Sequence, residues 1–150
     1  MQTEQKKLEY LNKELGTDYK SLDKVDWRMV SKNHKLSEDF IREFQSKVDW
    51  YYISYCQNLS EDFIKEFKDK VDWVAISHNQ TLSENFIREF QDKVAWLSIS
   101  WKQKLSELFI REFENKVCWE YILKYQKVSE NFIREFKYLT KHTYLNYIDY

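Results

Sequence analysis

Val25, Val48, Val71, Val94 and Val117 open five segments that align without a gap at a period of 23 residues. The first four read V-x-W-x-x-(V/I)-S, a polar linker, then L-S-E-x-F-I-(R/K)-E-F-x-x-K. The fifth keeps the frame with Val128 for leucine and Leu139 for the last lysine. A fixed period of this length marks an array, in which one supersecondary unit cannot bury its own apolar face and covers it with a copy of itself.

Two helices per copy account for the pattern. The 150 residues include no proline and a single glycine, Gly16, whereas sheets and long loops draw on both at their turns. The spacing predicts a longer helix opening at Ser37, Ser60, Ser83, Ser106 and Ser129. Each serine is placed to accept from first-turn N–H groups, and the acidic residue after it sits at the positive end of the helix dipole. Leu36, Leu59, Leu82, Leu105 and Val128 before the serines, with Ile41, Ile64, Ile87, Ile110 and Ile133 after them, are spaced as hydrophobic staples. Phe40, Ile41, Phe44 and Val48 form one stripe, with Glu43/Lys47 and Glu89/Lys93 as i,i+4 pairs on a solvated face. A shorter helix opens at Asp26, Asp49 and Asp72. Ala95 and Cys118 take that place in the last two copies, at a cost of about 1 kcal/mol to each helix.

The ends depart from the frame. Residues 3–15 read as a helix with Leu8, Leu11 and Leu15 on one side, closed by Gly16 as a left-handed C-cap. After Phe136 the frame dissolves, and Leu145 and Ile148 suggest a last amphipathic turn. The expected architecture is all-α: an αα-hairpin solenoid of five 23-residue repeats with N- and C-terminal capping segments. It forms one domain over 1–150, with the N-terminal cap at 1–24, the repeats at 25–139 and the C-terminal cap at 140–150.

Five copies in one chain supply their own comparison. At about 100° per residue, Trp50, Ile53, Ser54 and Gln57 share the stacked side of the short helix, and Tyr51, Tyr52, Tyr55 and Cys56 share the other. These outward places read Arg28, Met29, Lys32, Asn33 in the first copy. They become Val74, Ala75, His78, Asn79 in the third, Leu97, Ser98, Trp101, Lys102 in the fourth, and Glu120, Tyr121, Lys124, Tyr125 in the fifth. Six of the twenty are Tyr or Trp. A surface that only has to stay wet carries mostly Lys, Glu, Gln and Asn, whereas aromatic anchors dominate binding interfaces. Tyr51, Tyr52, Tyr55, Trp101, Tyr121 and Tyr125 are therefore the candidate anchors of a protein-binding face, with Arg28, Lys32 and Lys102 as rim charges. The competing readings are packing between successive short helices and neutral drift. A second binding reading is a single-stranded nucleic acid or nucleotide-type ligand stacked on the same rings. Basic residues on this face are few, however, and Glu120 interrupts them.

Chemistry of other kinds finds no foothold. His34, His78 and His142 stand at no ligand spacing to one another or to cysteine, so no metal is expected. No glycine-rich loop cradles a phosphate, the recurring serines are explained as caps, and neither a catalytic residue nor a cofactor is expected; the chain reads as no enzyme. The formal charge of -1 and pI near 6.3 set up no general field toward nucleic acid or anionic membrane. There is no long apolar run and no apolar leader, so no membrane association and a cytoplasmic, intracellular setting are expected, that of a host cell included. Cys56 and Cys118 lie almost three copies apart, too far for a disulfide, which fits a reducing compartment.

The segments "LSEDFIREFQSKVDW" and "LSENFIREFQDKVAW" resemble short tandem helical repeats seen in predicted proteins of large DNA viruses, phages and AT-rich bacteria. The resemblance covers residues 25–136 and carries no defined activity. It implies an αα-solenoid and a viral or mobile-element setting. In that setting the expected role is a non-enzymatic, stoichiometric inhibitor of a host complex, such as a defence complex.

Overall fold

The structure, a computed structural model, describes residues 3–136. The expected C-terminal cap at 140–150 lies outside the described residues. The chain divides into two compact units, Met1–Asp72 and Trp73–Tyr150.

The first unit begins with α1 (Glu4–Leu15), which starts on the Thr3 hydroxyl and ends at Gly16. Gly16 has φ 63° and ψ 38°, left-handed geometry that a side chain would strain. Leu8 and Leu11 are buried, the Tyr10 ring lies 5.9 Å from Phe40, and Lys7 pairs with Glu43 at 2.8 Å. α1 thus covers the first copy, as its spacing predicts. A 3-10 turn (Leu22–Lys24) leads into α2 (Trp27–Asn33), α3 (Glu38–Glu43), α4 (Trp50–Cys56) and α5 (Glu61–Glu66).

The second unit continues the alternation with α6 (Trp73–Asn79), α7 (Glu84–Glu89), α8 (Trp96–Lys102), α9 (Glu107–Glu112), α10 (Trp119–Tyr125) and α11 (Glu130–Glu135). No strand occurs among the described residues. Short helices of successive copies pack side by side, α2 on α4 in the first unit, α6 on α8 and α8 on α10 in the second. Each unit is a stretch of αα-hairpin solenoid.

The helix expected to be longer has six helical residues against seven in its partner, and only with the turn that follows it does the serine-capped segment form the longer arm of the hairpin, the long-helix side. α3 has six residues, because Phe44 leaves helical geometry at φ -107°, ψ 23° and its carbonyl accepts from both Lys47 at 2.8 Å and Val48 at 3.1 Å. The resulting turn brings Val48 into the core, and the same turn follows Phe67, Phe90 and Phe113. Because α3 stops early, Glu43 and Lys47 are not neighbours on one helix face. Glu43 takes Lys7, and Lys47 approaches Asp23 at 3.8 Å.

The caps form where the sequence predicts them. All five serine hydroxyls accept from the N–H three residues on, at 3.1–3.2 Å. Asp26 and Asp49 cap α2 and α4, while Ala95 and Cys118 give their helices no side-chain cap. Inside, Phe40, Phe63, Phe86, Phe109 and Phe132 are fully buried. Each frame tryptophan packs on the second phenylalanine of its own copy, with ring centroids 4.8–5.0 Å apart. The indole N–H of Trp50, Trp96 and Trp119 donates to a carbonyl five residues earlier, which tethers these half-buried rings.

Polar side chains then fasten one copy to the next. The Ser31 hydroxyl donates to the Trp27 carbonyl (2.7 Å) and accepts from the Asp49 N–H (2.9 Å). Ser54, Ser77 and Ser100 do the same toward Asp72, Ala95 and Cys118. The buried Gln57 amide donates to the carbonyls of Ser31 and His34 at 2.9 and 2.8 Å, and its oxygen accepts from the Leu36 N–H at 2.9 Å. Gln103 and Gln126 repeat the arrangement on their preceding copies. Among the described residues, no buried side-chain polar atom lacks a partner, as a buried network requires if it is to stabilise the fold.

On the long-helix side, the carboxylates of Glu38, Glu84 and Glu107 accept the N–H of the next copy's capping serine. The bond from the Ser129 N–H, with help from its hydroxyl, holds Glu107 below the ordinary glutamate pKa. Arg42, Arg88 and Arg111 reach Glu66, Glu112 and Glu135 of the following copy, and each guanidinium lies 4.9–5.1 Å from the centroid of the next copy's phenylalanine. The hydrogen bonds to Glu66 and Glu135 raise the pKa values of Arg42 and Arg111.

Candidate binding face of the short helices

An outward residue of a short helix meets either the neighbouring short helix or solvent, and the structure sorts the predicted places between these fates. The place occupied by Tyr52, Ala75, Ser98 and Tyr121 is covered at least in part, whereas Met29, at the same place in the first copy, is 51% exposed. Ala75 and Ser98 are buried and Tyr52 and Tyr121 half-buried, so in these four copies packing between short helices, and not full exposure, is what the structure shows. Tyr51 and Tyr55 by contrast are 51% and 49% exposed, and Trp101 and Tyr125 are 37% and 43% exposed.

The nine predicted residues fall into two clusters, one in each unit. In the first, Tyr51 stacks on Tyr55 with centroids 5.9 Å apart and meets the edge of Tyr52 at 5.2 Å. Arg28 donates to the Tyr52 hydroxyl at 3.0 Å, a bond that raises the arginine pKa, and Lys32 lies 5.6 Å from the same ring. In the second, Trp101 packs on Tyr121 at 6.0 Å and Tyr125 at 5.8 Å, with the Lys102 ammonium 3.8 Å from the indole centroid.

Two neighbours escaped the sequence reading, and a third, His78, was read as outward but not as part of the site. His78 meets Trp101 edge-on at 5.2 Å. Lys104 and Lys127 lie just past the C-termini of α8 and α10 and line a groove of about 370 Å³ together with Trp101, Lys102 and Tyr125. A second groove of about 310 Å³ adjoins it, shares Lys102 and Lys104, and is bounded by His78 and Thr81. The signal was present in the repeat: Lys35, Asn58, Thr81, Lys104 and Lys127 hold one register, in the linker and not on a helix face. Each cluster presents exposed aromatic rings beside cationic side chains, a set suited to holding a partner by contact and charge.

No protein-family model matches the chain, and no curated protein or solved structure matches it. No helix among the described residues is long and apolar enough to cross a membrane.

Proposed function

We propose that the protein is a non-enzymatic binding module that holds a protein partner against the variable face of its short helices. One contrast carries this reading. Trp50, Trp96 and Trp119 are tethered through their indole N–H and packed on phenylalanine. Tyr51, Tyr55, Trp101 and Tyr125 instead stand exposed in clusters, at three places whose residue changes from copy to copy, Tyr55 and Trp101 sharing one of them. Large exposed aromatics grouped beside cations are the composition of binding hot spots. Such a module acts by occupancy, which accords with the stoichiometric inhibition of a host complex that the resemblance implies.

The test uses the full chain as bait in extracts with and without nuclease, comparing wild type with Tyr51→Ala/Tyr55→Ala and with Trp101→Ala. Tyr52 is left intact because it packs on Arg28. A specific protein should be retained by wild type after nuclease and released from both variants. The Tyr51/Tyr55 variant should keep wild-type helicity and lie within about 0.5 kcal/mol of its stability, as exposed sites do. Retention unaffected by either variant, or lost in every nuclease-treated sample, would sink the proposal; the second outcome favours single-stranded nucleic acid.

A further inference from the structure

Two groups of cations stand apart among the described residues of the second unit. On the long-helix side Arg88 binds Glu112, Arg111 binds Glu135, Arg134 binds Glu130 and Lys116 binds Asp92. Lys102, Lys104 and Lys127 form no ion pair among the described residues. These three line the groove beside Trp101 and Tyr125, and two of them line the adjoining groove as well. The only carboxylate among the outward places of α6, α8 and α10 is Glu120. Positive charge without a counter-charge is thus concentrated around the most crowded aromatic cluster of this unit.

We infer that this face of the second unit docks an acidic peptide segment of a protein partner, with carboxylates against Lys102, Lys104 and Lys127 and apolar side chains against Trp101 and Tyr125. The inference rests on the binding-face reading and adds the chemistry of the occupant. Charge complementarity of this kind steers encounter and selects partners. The grooves, at about 370 and 310 Å³, lie at the small end of ligand sites and suit the side chains of a segment.

Two observations favour carboxylates over a nucleic acid. A base needs an open ring face to stack on, but Trp101 is already met by the Lys102 ammonium at 3.8 Å, Tyr121 at 6.0 Å, Tyr125 at 5.8 Å and His78 at 5.2 Å. The arginines of this unit, Arg88, Arg111 and Arg134, whose planar fork suits phosphate, are bound to glutamates away from this face, leaving lysines as point charges.

Fluorescence anisotropy with the full chain tests this. The probes are a short labelled peptide of Asp and Glu with interspersed Phe, the same peptide with Asn and Gln for the acids, and a labelled oligothymidylate. The acidic peptide should bind at least about tenfold more tightly than its amide version and weaken as salt rises. Lys102→Glu/Lys104→Glu/Lys127→Glu should abolish that preference, while Lys6→Glu/Lys13→Glu/Lys24→Glu, with equal charge change elsewhere, should leave it. Equal binding of both peptides, no binding, loss in both variants alike, or tighter binding of oligothymidylate would each overturn the inference. A captured protein that is insensitive to the groove reversals but lost with Trp101→Ala would leave the binding-face proposal standing while removing this one. Insensitivity to the groove reversals, Trp101→Ala and Tyr51→Ala/Tyr55→Ala together would remove both.

Discussion

Arg42, Arg88 and Arg111 share a register on the long helices and have one task, a glutamate of the next copy beneath a guanidinium that also covers the next phenylalanine. Tyr55, His78 and Trp101 share a register on the short helices and have three surroundings: Tyr55 stacks on Tyr51, His78 meets the edge of Trp101, and Trp101 packs on Tyr121. The difference follows from where the partner lies. When it is an adjacent copy of the same segment, a change on one side strands a group on the other, and the residue type recurs. When the surroundings lie outside the frame, each copy is free to differ. The place of Tyr52, Ala75 and Ser98 sits between the two cases, since it meets a neighbouring short helix whose own outward residues vary.

The sharpest test of this contrast is Gln103→Leu. It would leave the carbonyls of Ser77 and Gln80 and the Leu82 N–H without their partner, and at roughly 1–3 kcal/mol for each buried orphan the expected loss is about 3 kcal/mol or more. Urea unfolding measures it; a loss below about 1 kcal/mol would show that the interlock matters little and that the frame recurs for another reason. A gain is expected from Ala95→Asp. Ala95 has φ -84° and ψ 97°, close to the -85° and 106° of Asp49, which accepts from Tyr51 and Tyr52. Restoring the carboxylate should add about 1 kcal/mol, read in the same experiment.

The smallest effect concerns Glu107. Its carboxylate is held below the ordinary value by the Ser129 N–H. A depressed folded-state pKa contributes stability that is fully present above the unfolded value, near 4.3, and is lost as pH falls through the folded value. Thermal melts of wild type and Glu107→Gln should therefore differ most near neutral pH and converge in acid. A gap that widens on acidification would contradict this sign.

Much of the frame was legible because its signals are local. Serine and aspartate caps, the Phe40/Ile41 spacing and the Gly16 terminus all act within one turn of chain, and each appears in the structure where the spacing puts it. The premature end of α3 was hidden, because the apolar spacing of Phe44 and Val48 is the same whether the chain continues as helix or closes as a turn. Gln57 was assigned correctly to the stacked side, but its amide works across 21–26 residues, and no pattern within one copy reveals a partner in another. The candidate site divides likewise. Tyr51, Tyr55 and Trp101 are where helical phase puts them. The burial of Ala75 and Ser98 depends on how neighbouring short helices meet, and Lys104 and Lys127 sit in linkers, where helical phase says nothing.

The serine, glutamine and glutamate links each run in one direction, from a copy to its immediate neighbour. His34 stands where later copies have glutamine, and Leu123 where earlier copies have serine. The first copy thus lacks the glutamine that reaches back and the fifth lacks the serine that reaches forward, while Glu130 keeps the glutamate place. Duplicating an internal segment of 23 residues supplies a complete set of hooks and eyes, so the gene can lengthen or shorten its product in whole steps from the middle. An indel of any other size puts out of phase the links that span it.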